Sequence, residues 1–294
     1  MEITIPPVLM DMAKEDFSDY PCDICGSVDA VEVPHCREYT NGQPIHICRD
    51  CGFVYVVRRR SSGRIAQEWS DEIFGEAYKA AIPAIIARLT YVVETIDSVI
   101  GIDGRKICDI GAGEGQFLKM VHGRDAEVFG IEPSKRNCDL MANMNIPFHN
   151  GTIEDYQGGR TADIVTIMWT LENCQDPKAM LCAARRMLKE EGHLVVATGS
   201  RILVPFKKRL FDYLEPSSAD THCSRFSENT LRGILAVCGF EVTEVNQYID
   251  SDVLCMMAKP TDNGEPIPWQ GDSYLDVWNF FQRWHAETAM HYSV

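Results

Sequence analysis

The segment DIGAGEGQF, residues 109–117, constrains the fold of this 294-residue chain more than any other feature. Gly111, Gly113 and Gly115 alternate in it, just after an apolar strand pattern and just before a helical one. Glycine permits a sharp turn from strand to helix and lets a ligand approach the amides at the N-terminus of the helix. Tight turns that bind nothing use the same residues, so the loop alone leaves both interpretations open.

The residues that follow the loop indicate which ligand it takes. A dinucleotide fingerprint requires glycine at position 116, where this chain has Gln116, so a diphosphate ligand is disfavoured. Glu132 ends the next strand pattern, about 20 residues after the first glycine, where a carboxylate can accept hydrogen bonds from ribose hydroxyls. Asp155 follows in GTIEDY, where a carboxylate can accept from an adenine amino group. Together these residues predict an adenosine pocket without a diphosphate.

Alternating strand and helix patterns from Lys106 onward predict an α/β fold with a doubly wound, mostly parallel sheet and a terminal β-hairpin. ADIVTIMW, residues 162–169, is a β-branched apolar run typical of a strand buried on both faces. In the next predicted helix, Asp176 is the expected N-cap and Gly192 the expected end. The other predicted strands are KICDIG, EVFGIE, HLVVATG, FEVTEVNQYI and DVLCMMAK, and the other predicted helices are GQFLKMV, SKRNCDLMANM and SENTLRGILAVCG.

Four of the twelve cysteines form two C-x2-C pairs, Cys22 with Cys25 and Cys48 with Cys51, separated by 22 residues. Each pair can form a tight knuckle, and two facing knuckles complete a tetrahedral sulfur cage, which is the closed geometry of structural zinc. A segment of about 40 residues is too small to fold on its own core, so the metal is expected to support folding and not chemistry.

Composition excludes several classes of function. The formal charge of −15 disfavours binding to nucleic acid or to a membrane surface. The N-terminus has no basic region or apolar run of a secretory signal, and Pro83, Arg88, Glu94 and Asp97 interrupt the longest apolar stretch. We therefore expect a cytoplasmic location, with cysteines that are metal ligands or buried thiols and not disulfides.

Length and patterning predict about two domains in four segments. Residues 1–60 form the zinc ribbon with an N-terminal extension, and residues 61–103 a helical lid or linker that is largely helical from about residue 65 to residue 100, with a kink at Pro83. Residues 104–260 form the ligand-binding core. Residues 261–294 form a C-terminal helical extension.

Taken together, DIGAGEGQF, GIEPS, IEDY, TADIVTIMWTLENCQDP, MLKEEGHLVV and the closing hairpin resemble a class I S-adenosylmethionine-dependent methyltransferase over roughly residues 104–259. The ribbon followed by CGFVYVVRRRSSGRIAQEW resembles a subgroup that has an N-terminal zinc ribbon and that often methylates sugars. The resemblance implies a Rossmann-like core, S-adenosylmethionine as cofactor, structural zinc, and a sugar acceptor such as a nucleotide-linked sugar or a glycan component. The cofactor-binding residues that it implies are Asp109, Gly111, Ala112, Gly113, Gly115, Gln116, Phe117, Glu132, Pro133, Ile153, Glu154, Asp155 and Trp169.

Two residues are candidates for general-base catalysis. His222 resembles the histidine that precedes a Phe-Ser helix start in the sugar-methylating relatives, and an imidazole has an ordinary pKa suited to proton transfer near neutral pH. Glu172 follows the strand pattern ADIVTIMW, which resembles the fourth strand of the family, and can act as the base, bind the methionine amino group or bind a substrate hydroxyl. Asn173 departs from the family pattern, which has histidine there, and the larger C-methylating relatives carry a further domain. Both departures disfavour C-methylation.

Two basic clusters are unusual in so acidic a chain: Arg58, Arg59, Arg60 and Arg64 after the ribbon, and Lys207, Lys208 and Arg209 after the fifth predicted strand of the core. Each is expected to be a solvated face, with phosphate binding as the alternative if both border the pocket.

Three hypotheses about function remain open from the sequence. The first is a methyltransferase acting on a sugar or a related polar metabolite, the second is one acting on a non-sugar natural product or a protein, and the third is a catalytically silent fold used for assembly. The expected partner is a small molecule, and a homo-oligomer is left open.

Overall fold

The computed structural model describes residues 17–61, 63, 65, 76–214, 222–246, 253–261 and 265–289. We call residues 17–60 the ribbon. Its sequence gives five short strands and one short helix, because paired cysteines and turn residues interrupt every apolar run. These are β1 (Phe17–Asp19), β2 (Ala30–Glu32), α1 (Cys36–Tyr39), β3 (His46–Cys48), β4 (Val54–Tyr55) and β5 (Arg58–Arg60).

The rest of the chain alternates strands and helices, as its sequence pattern predicts. The elements are α2 (Glu76–Val99), β6 (Lys106–Ile110), α3 (Gln116–His122), β7 (Glu127–Glu132), α4 (Lys135–Asn143), β8 (Phe148–Asn150), β9 (Ala162–Met168), a 3-10 helix (Leu171–Asn173), α5 (Pro177–Met187), β10 (Leu188–Thr198), α6 (Leu210–Leu214), β11 (Ser224–Arg225), α7 (Glu228–Val237), β12 (Phe240–Val245), β13 (Leu254–Pro260) and α8 (Tyr274–Thr288).

The central sheet has seven strands in the order β12-β13-β10-β9-β6-β7-β8. The strands from β10 to β8 are parallel, whereas β13 is antiparallel to both β10 and β12. Strand β9 occupies the middle of this sheet, and its residues are almost all buried, because the run of β-branched side chains packs on both faces. The predicted fold class, a mostly parallel α/β sheet with a terminal hairpin, is confirmed.

Local capping signals identify two helix starts correctly. The side chain of Asp176 accepts a hydrogen bond from the amide of Ala179 and caps α5. Ser227 caps α7 in a capping box with Thr230, and Gly239 follows the helix with a φ of 76°.

The expected end of α5 at Gly192 is wrong. The helix ends at Met187, and β10 begins at Leu188, which pairs with Ala162 of β9. The register then shifts, so that His193 is the next residue of β10 to pair with β9. Leu188 is buried, and its burial on the sheet holds the chain extended where the sequence pattern alone still reads as helix.

Helix α2 covers most of the predicted helical lid. Its apolar stripe, which includes Leu89, Val92, Val93 and Ile96, is buried against the central sheet and α3. Pro83 lies within the helix, and the kink expected there stays a prediction. Arg64 and residues 66–75 lie outside the described residues.

The ribbon is built into the core. Strand β11, which follows β10 by some distance in the chain, pairs with β4 and completes a four-stranded sheet in the order β11-β4-β3-β2. The amide of Asp272 donates to the carbonyl of Cys51 at 3.0 Å, and its carboxylate accepts from Nδ2 of Asn229, in the first turn of α7, at 2.7 Å. Helix α8 packs Phe281 and Trp284 into the cluster that contains Tyr39 of the ribbon. The sequence indicated neither β11 nor these contacts, and the four-segment division stays a prediction.

Within the ranges that the structure describes, no helix combines the length and the apolar character needed to cross a bilayer.

Candidate functional site

A cavity of about 520 Å³ lies where β6, β7 and β9 end, which is the edge at which parallel α/β sheets bind ligands. Its volume is within the range of small-molecule sites. The loops that follow these strands line it, together with residues of α2 and of the segment after β10. The loop residues between β6 and α3 that line it include Gly111, Ala112, Gly113 and Gln116.

The three glycines of this loop serve different purposes. All three have a positive φ, which favours glycine. A Cβ atom at Gly111 would lie 2.4 Å from the side chain of Thr170, and one at Gly115 would lie 2.7 Å from Cγ of Met141, so these two permit close packing. Among the residues that the structure describes, and apart from the chain neighbours, a Cβ at Gly113 would meet no atom within 4 Å. Gly113 therefore leaves open space that a bound ligand can fill.

Glu132 connects the end of β7 to the glycine loop. It is 6 % exposed. Its Oε2 accepts from the amide of Gly113 at 2.9 Å, and its Oε1 accepts from the amide of Ser134 at 2.8 Å and from Nδ2 of Asn137 at 3.3 Å. Burial raises the pKa of Glu132, and these hydrogen bonds oppose that shift. Because a carboxylate offers about four acceptor positions, Glu132 retains capacity for a ligand hydroxyl.

Asp109 lies beneath the same loop at the end of β6. Its Oδ1 accepts from Oγ1 of Thr166 at 2.6 Å. Complete burial raises the pKa of Asp109 to about 8, and the negative charge of Glu132 adds to the shift. Asp109 is therefore largely protonated at neutral pH.

Most of the residues predicted for the cofactor border the cavity, and two do not. Gly115 is buried behind the loop. Asp155 is exposed, and its carboxylate accepts from the hydroxyl of Thr152 at 3.1 Å, so it closes its own turn instead of facing the cavity. The neighbouring Glu154 does line it. The predicted residues that line the cavity are Asp109, Gly111, Ala112, Gly113, Gln116, Phe117, Glu132, Pro133, Ile153, Glu154, Trp169, Glu172 and His222.

Trp169 has an unusual conformation at the end of β9. Its φ is 55°, in the left-handed region, which costs a residue other than glycine roughly 1–3 kcal/mol. Its Nε1 is buried without a hydrogen-bond partner among the described residues. The guanidinium of Arg88 lies 5.8 Å from the centre of the indole ring. Sequence reasoning missed Arg88 as a lining residue, although an arginine within the apolar stripe of α2 was the available signal.

Glu172 is 2 % exposed and lies in the 3-10 helix. Its Oε1 accepts from the amide of Gly199 at 3.1 Å, whereas its Oε2 and the Oδ1 of Asn173 are buried without a partner among the described residues. Burial raises the pKa of Glu172, and hydrogen bonds from backbone amides and from Thr198 oppose that shift. Two unpartnered oxygen acceptors on one wall of a cavity are suited to a ligand that carries hydroxyl or amino groups.

His222 lines the cavity and is half-buried, two residues before β11. Its carbonyl accepts from Nη1 of Arg225 at 3.0 Å. The cavity therefore brings together both residues predicted for catalysis.

The basic clusters are exposed at Arg58, Lys207 and Lys208, as expected of a solvated face, but not at Arg59. Arg59 is 1 % exposed, and it is neither solvated nor available to a phosphate, because its guanidinium pairs with the carboxylate of Asp23 inside the ribbon. Arg209 pairs with Asp212. From the second cluster, Lys208 lines the cavity.

The four predicted metal ligands lie together at one end of the ribbon. Their Sγ atoms are all within 4.8 Å of one another, with 3.5 Å between Cys22 and Cys51 and 3.5 Å between Cys25 and Cys48. Four thiolates at about 2.3 Å from a tetrahedral zinc ion would be about 3.8 Å apart. The donor set and its spacing therefore fit zinc.

Comparisons with known proteins identify the family of the α/β domain. A family model described as a methyltransferase domain matches residues 77–245, more than half of the chain. A ubiquinone biosynthesis O-methyltransferase of Vibrio atlanticus is 30% identical over 132 residues, which are 42% of this chain and 53% of that protein. The chain thus spans about half the length of this curated relative.

Solved structures share the fold at lower identity. The 1,6-didemethyltoxoflavin-N1-methyltransferase of Burkholderia thailandensis, solved with S-adenosylhomocysteine, has a TM-score of 0.54 and 13% identity, over 72% of this chain and 97% of that one. A protein of Thermotoga maritima described as a possible histamine N-methyltransferase has a TM-score of 0.52 and 19% identity, over 67% and 100% of the two chains. None of these three names mentions a sugar.

Proposed function

Because this chain belongs to the methyltransferase domain family, we propose that it transfers a methyl group from S-adenosylmethionine to a small polar acceptor. The observation that carries the proposal is the open space at Gly113, directly beside the buried carboxylate of Glu132. A loop that leaves this space next to a hydrogen-bond acceptor fits a ribose. It lacks the glycine at position 116 that a diphosphate-binding fingerprint requires.

The cofactor would lie across the ends of β6, β7 and β9. Glu132 would accept from the ribose, and the glycine loop would cover the sulfonium side. Glu154, which lines the cavity, takes the role that the sequence assigned to Asp155 and accepts from the adenine amino group. The unpartnered Nε1 of Trp169 is a donor suited to the methionine carboxylate. When bound, S-adenosylmethionine supplies an electrophilic methyl group.

The protein's own residues would orient the acceptor and accept its proton. We assign proton removal to His222, with Glu172 as the alternative. The unpartnered Oε2 of Glu172 and Oδ1 of Asn173 would hold the acceptor through its hydroxyl or amino groups. The strand ends and α2 exclude water from the reaction.

For the acceptor, we retain a sugar or a sugar nucleotide as the first hypothesis. The two unpartnered oxygen acceptors, in a cavity that Lys208 and Arg88 also line, support a hydroxylated molecule that carries negative charge. The name of the Vibrio relative favours the second hypothesis, an aromatic hydroxyl on a non-sugar metabolite. A silent assembly protein is disfavoured, because such a protein need not keep Gly113 open beside Glu132.

We also propose that Cys22, Cys25, Cys48 and Cys51 bind one structural zinc ion. Four sulfur ligands leave no open coordination position, so the metal supports the ribbon and does not activate the acceptor.

A cofactor-consumption screen tests the proposed function. S-adenosylhomocysteine formation would be measured with nucleotide-sugars, glycan fragments, catechols and heterocyclic amines, and a Gly113→Ala variant would serve as the control. Acceptor-dependent product in the wild type that disappears in the variant would support the proposal, and the active class would identify the acceptor. A wild type that binds neither the cofactor nor its product would refute it.

A further inference from the structure

We propose that the ribbon positions the acceptor wall of the cavity, with Asp23 and Arg59 as the positioning residues. The acceptor wall is the segment 171–175 that carries Glu172. The proposal rests on the proposed function only in assigning that wall to the acceptor. The physical link itself is a set of buried contacts between the cysteine knuckle and the cavity.

The first part of the link is the ion pair inside the ribbon. Asp23 lies between the metal ligands Cys22 and Cys25, and it is 7 % exposed. Nη1 of Arg59 donates to Oδ1 of Asp23 at 3.0 Å, and Nη2 donates to Oδ2. Such a bidentate pair fixes the orientation of the guanidinium, so the position of the knuckle determines the orientation of the Arg59 side chain.

The second part leads from Arg59 to the cavity. The same Nη1 donates to the carbonyl of Gln175 at 2.7 Å, while Nε donates to the carbonyl of Val56 at 2.7 Å. Gln175 and Cys174 both line the cavity, directly after the 3-10 helix with Glu172. Arg59 thus fixes the backbone at the end of the acceptor wall to the ribbon.

A second contact connects the ribbon to the other candidate catalytic residue. Ser224 of β11 pairs with Tyr55 of β4, and the amide of Val56 donates to the carbonyl of Cys223 at 2.9 Å. His222 immediately precedes these residues. The ribbon therefore holds the backbone on both sides of the acceptor region.

The cofactor side of the cavity depends on different contacts. The amide of Gly111 donates to the carbonyl of Ile131 at 2.8 Å, and Glu132 is held by Gly113, Ser134 and Asn137. All of these belong to β6, β7 and the segments that follow them. Loosening the ribbon should therefore disorder the acceptor wall and leave the cofactor side ordered.

Hydrogen exchange read by mass spectrometry or NMR tests this link without a known acceptor. The reporters are the amide of Asn173, which donates to the carbonyl of Thr170 at 2.9 Å, and the amide of Gly199, which donates to Glu172. In the double variant Asp23→Leu/Arg59→Met, which removes both charges together, their exchange rates should rise at least tenfold. The amide of Gly111 should change by less than twofold.

Arg37→Met is the matched control, because it also removes a ribbon arginine from an ion pair, with Glu32, but at the surface. It should leave both reporters unchanged. Arg59→Lys keeps a charge without the two-pronged geometry. It should retain zinc and the melting temperature of the wild type while raising reporter exchange at least threefold.

If the double variant retains its metal and the exchange rates of the two reporter amides stay at the wild-type value, the proposal is overturned. If the double variant loses its metal, Arg59→Lys decides instead, and wild-type exchange there would overturn it equally. S-adenosylhomocysteine binding, measured by calorimetry on the same samples, should change by less than threefold. If the wild type did not bind S-adenosylhomocysteine, the proposed function would be refuted, but the hydrogen-exchange test of the link between the ribbon and the acceptor wall would still be valid.

Discussion

The amide of Gly113 donates a hydrogen bond of 2.9 Å to Oε2 of Glu132, and this bond joins the glycine loop to the end of the neighbouring strand. Glu132 is buried, and burial raises its pKa, so its amide contacts hold the carboxylate where an unsupported charge would be costly. The hydrogen bond holds the open space at Gly113 and the carboxylate of Glu132 next to each other in the lining of the cavity.

Gly113→Ala should weaken binding of S-adenosylhomocysteine at least tenfold at little cost to stability. The new methyl group would extend into open space, because no atom of the described residues beyond its chain neighbours lies within 4 Å of its position, and the positive φ would cost about 1 kcal/mol. Gly111→Ala is the contrasting variant, since its methyl group would collide with Thr170 and should lower the melting temperature. Calorimetry and thermal unfolding separate the two effects. Unchanged affinity in Gly113→Ala would show that the space does not hold the ligand.

Protein purified without chelator should contain one zinc ion per chain. Cys48→Ser should reduce the zinc content and lower the melting temperature, because the closed cage contributes directly to folding. Cys36→Ser is a useful control, since Cys36 is also buried in the ribbon but lies outside the cluster of four cysteines. Elemental analysis measures the metal. A metal-free wild type, or full metal content in Cys48→Ser, would contradict the assignment.

The proposed base predicts a loss of turnover of about 100- to 10,000-fold in His222→Ala, with cofactor affinity nearly unchanged. Glu172→Gln keeps size and hydrogen bonding while removing the charge. Burial raises the pKa of Glu172, so if Glu172 is the base instead, the rate falls as the pH falls through that raised pKa. Turnover would be measured from pH 5 to pH 9 with the acceptor found by the screen. A large loss of turnover in Glu172→Gln, together with normal turnover in His222→Ala, would show that Glu172 and not His222 is the general base.

The raised pKa of Asp109 predicts that the unfolding free energy depends on pH. Burial raises its pKa to about 8 in the folded protein, against about 3.9 in an unfolded chain. The folded state therefore binds the extra proton between these values, and the stabilisation present below pH 4 is lost as the pH rises towards 8. Asp109→Asn removes this effect. The difference in unfolding free energy, variant minus wild type, should rise by up to about 1.4 kcal/mol per pH unit from pH 5 to pH 8.

Asp163→Asn provides the control for this measurement. Partial burial raises the pKa of Asp163, but Lys189 and the amide of Lys106 lower it further, so that the net shift is downward. The contribution of Asp163 to the unfolding free energy should therefore change with pH only at more acid pH. Denaturant unfolding at each pH gives the free energies. A difference for Asp109→Asn that does not vary with pH would mean that Asp109 is ionised in the folded protein.

The sequence predicted those parts of the site that depend on local geometry. The glycine loop, Glu132 and the caps Asp176 and Ser227 follow from residues near one another in the chain. It is harder to predict which of two neighbouring residues in a turn faces the cavity. Glu154 and Asp155 are adjacent in the chain, and only the folded structure decides that Glu154 lines the cavity. The same limit applied to the end of α5, where pairing with β9 overrides helix propensity.

Contacts distant in sequence could not be predicted. Arg59 belongs to a run of three arginines that reads as a solvated cluster, yet its partner Asp23 and the carbonyl of Gln175 come from other parts of the chain. Likewise, Arg88 meets Trp169 only once α2 has packed on the sheet. Such pairs leave no periodic or local pattern in one sequence.

Calorimetric titration of S-adenosylhomocysteine measures binding at the glycine loop and Glu132 without a known acceptor. We expect the wild type to bind S-adenosylhomocysteine and not to bind NAD. Glu132→Ala should weaken binding by about 2–3 kcal/mol, or about 30- to 150-fold, because a charge-assisted hydrogen bond to the ribose is lost. Asp155→Ala should bind like the wild type, since that carboxylate faces Thr152 and not the cavity. Tight NAD binding, or wild-type affinity in Glu132→Ala, would contradict the account.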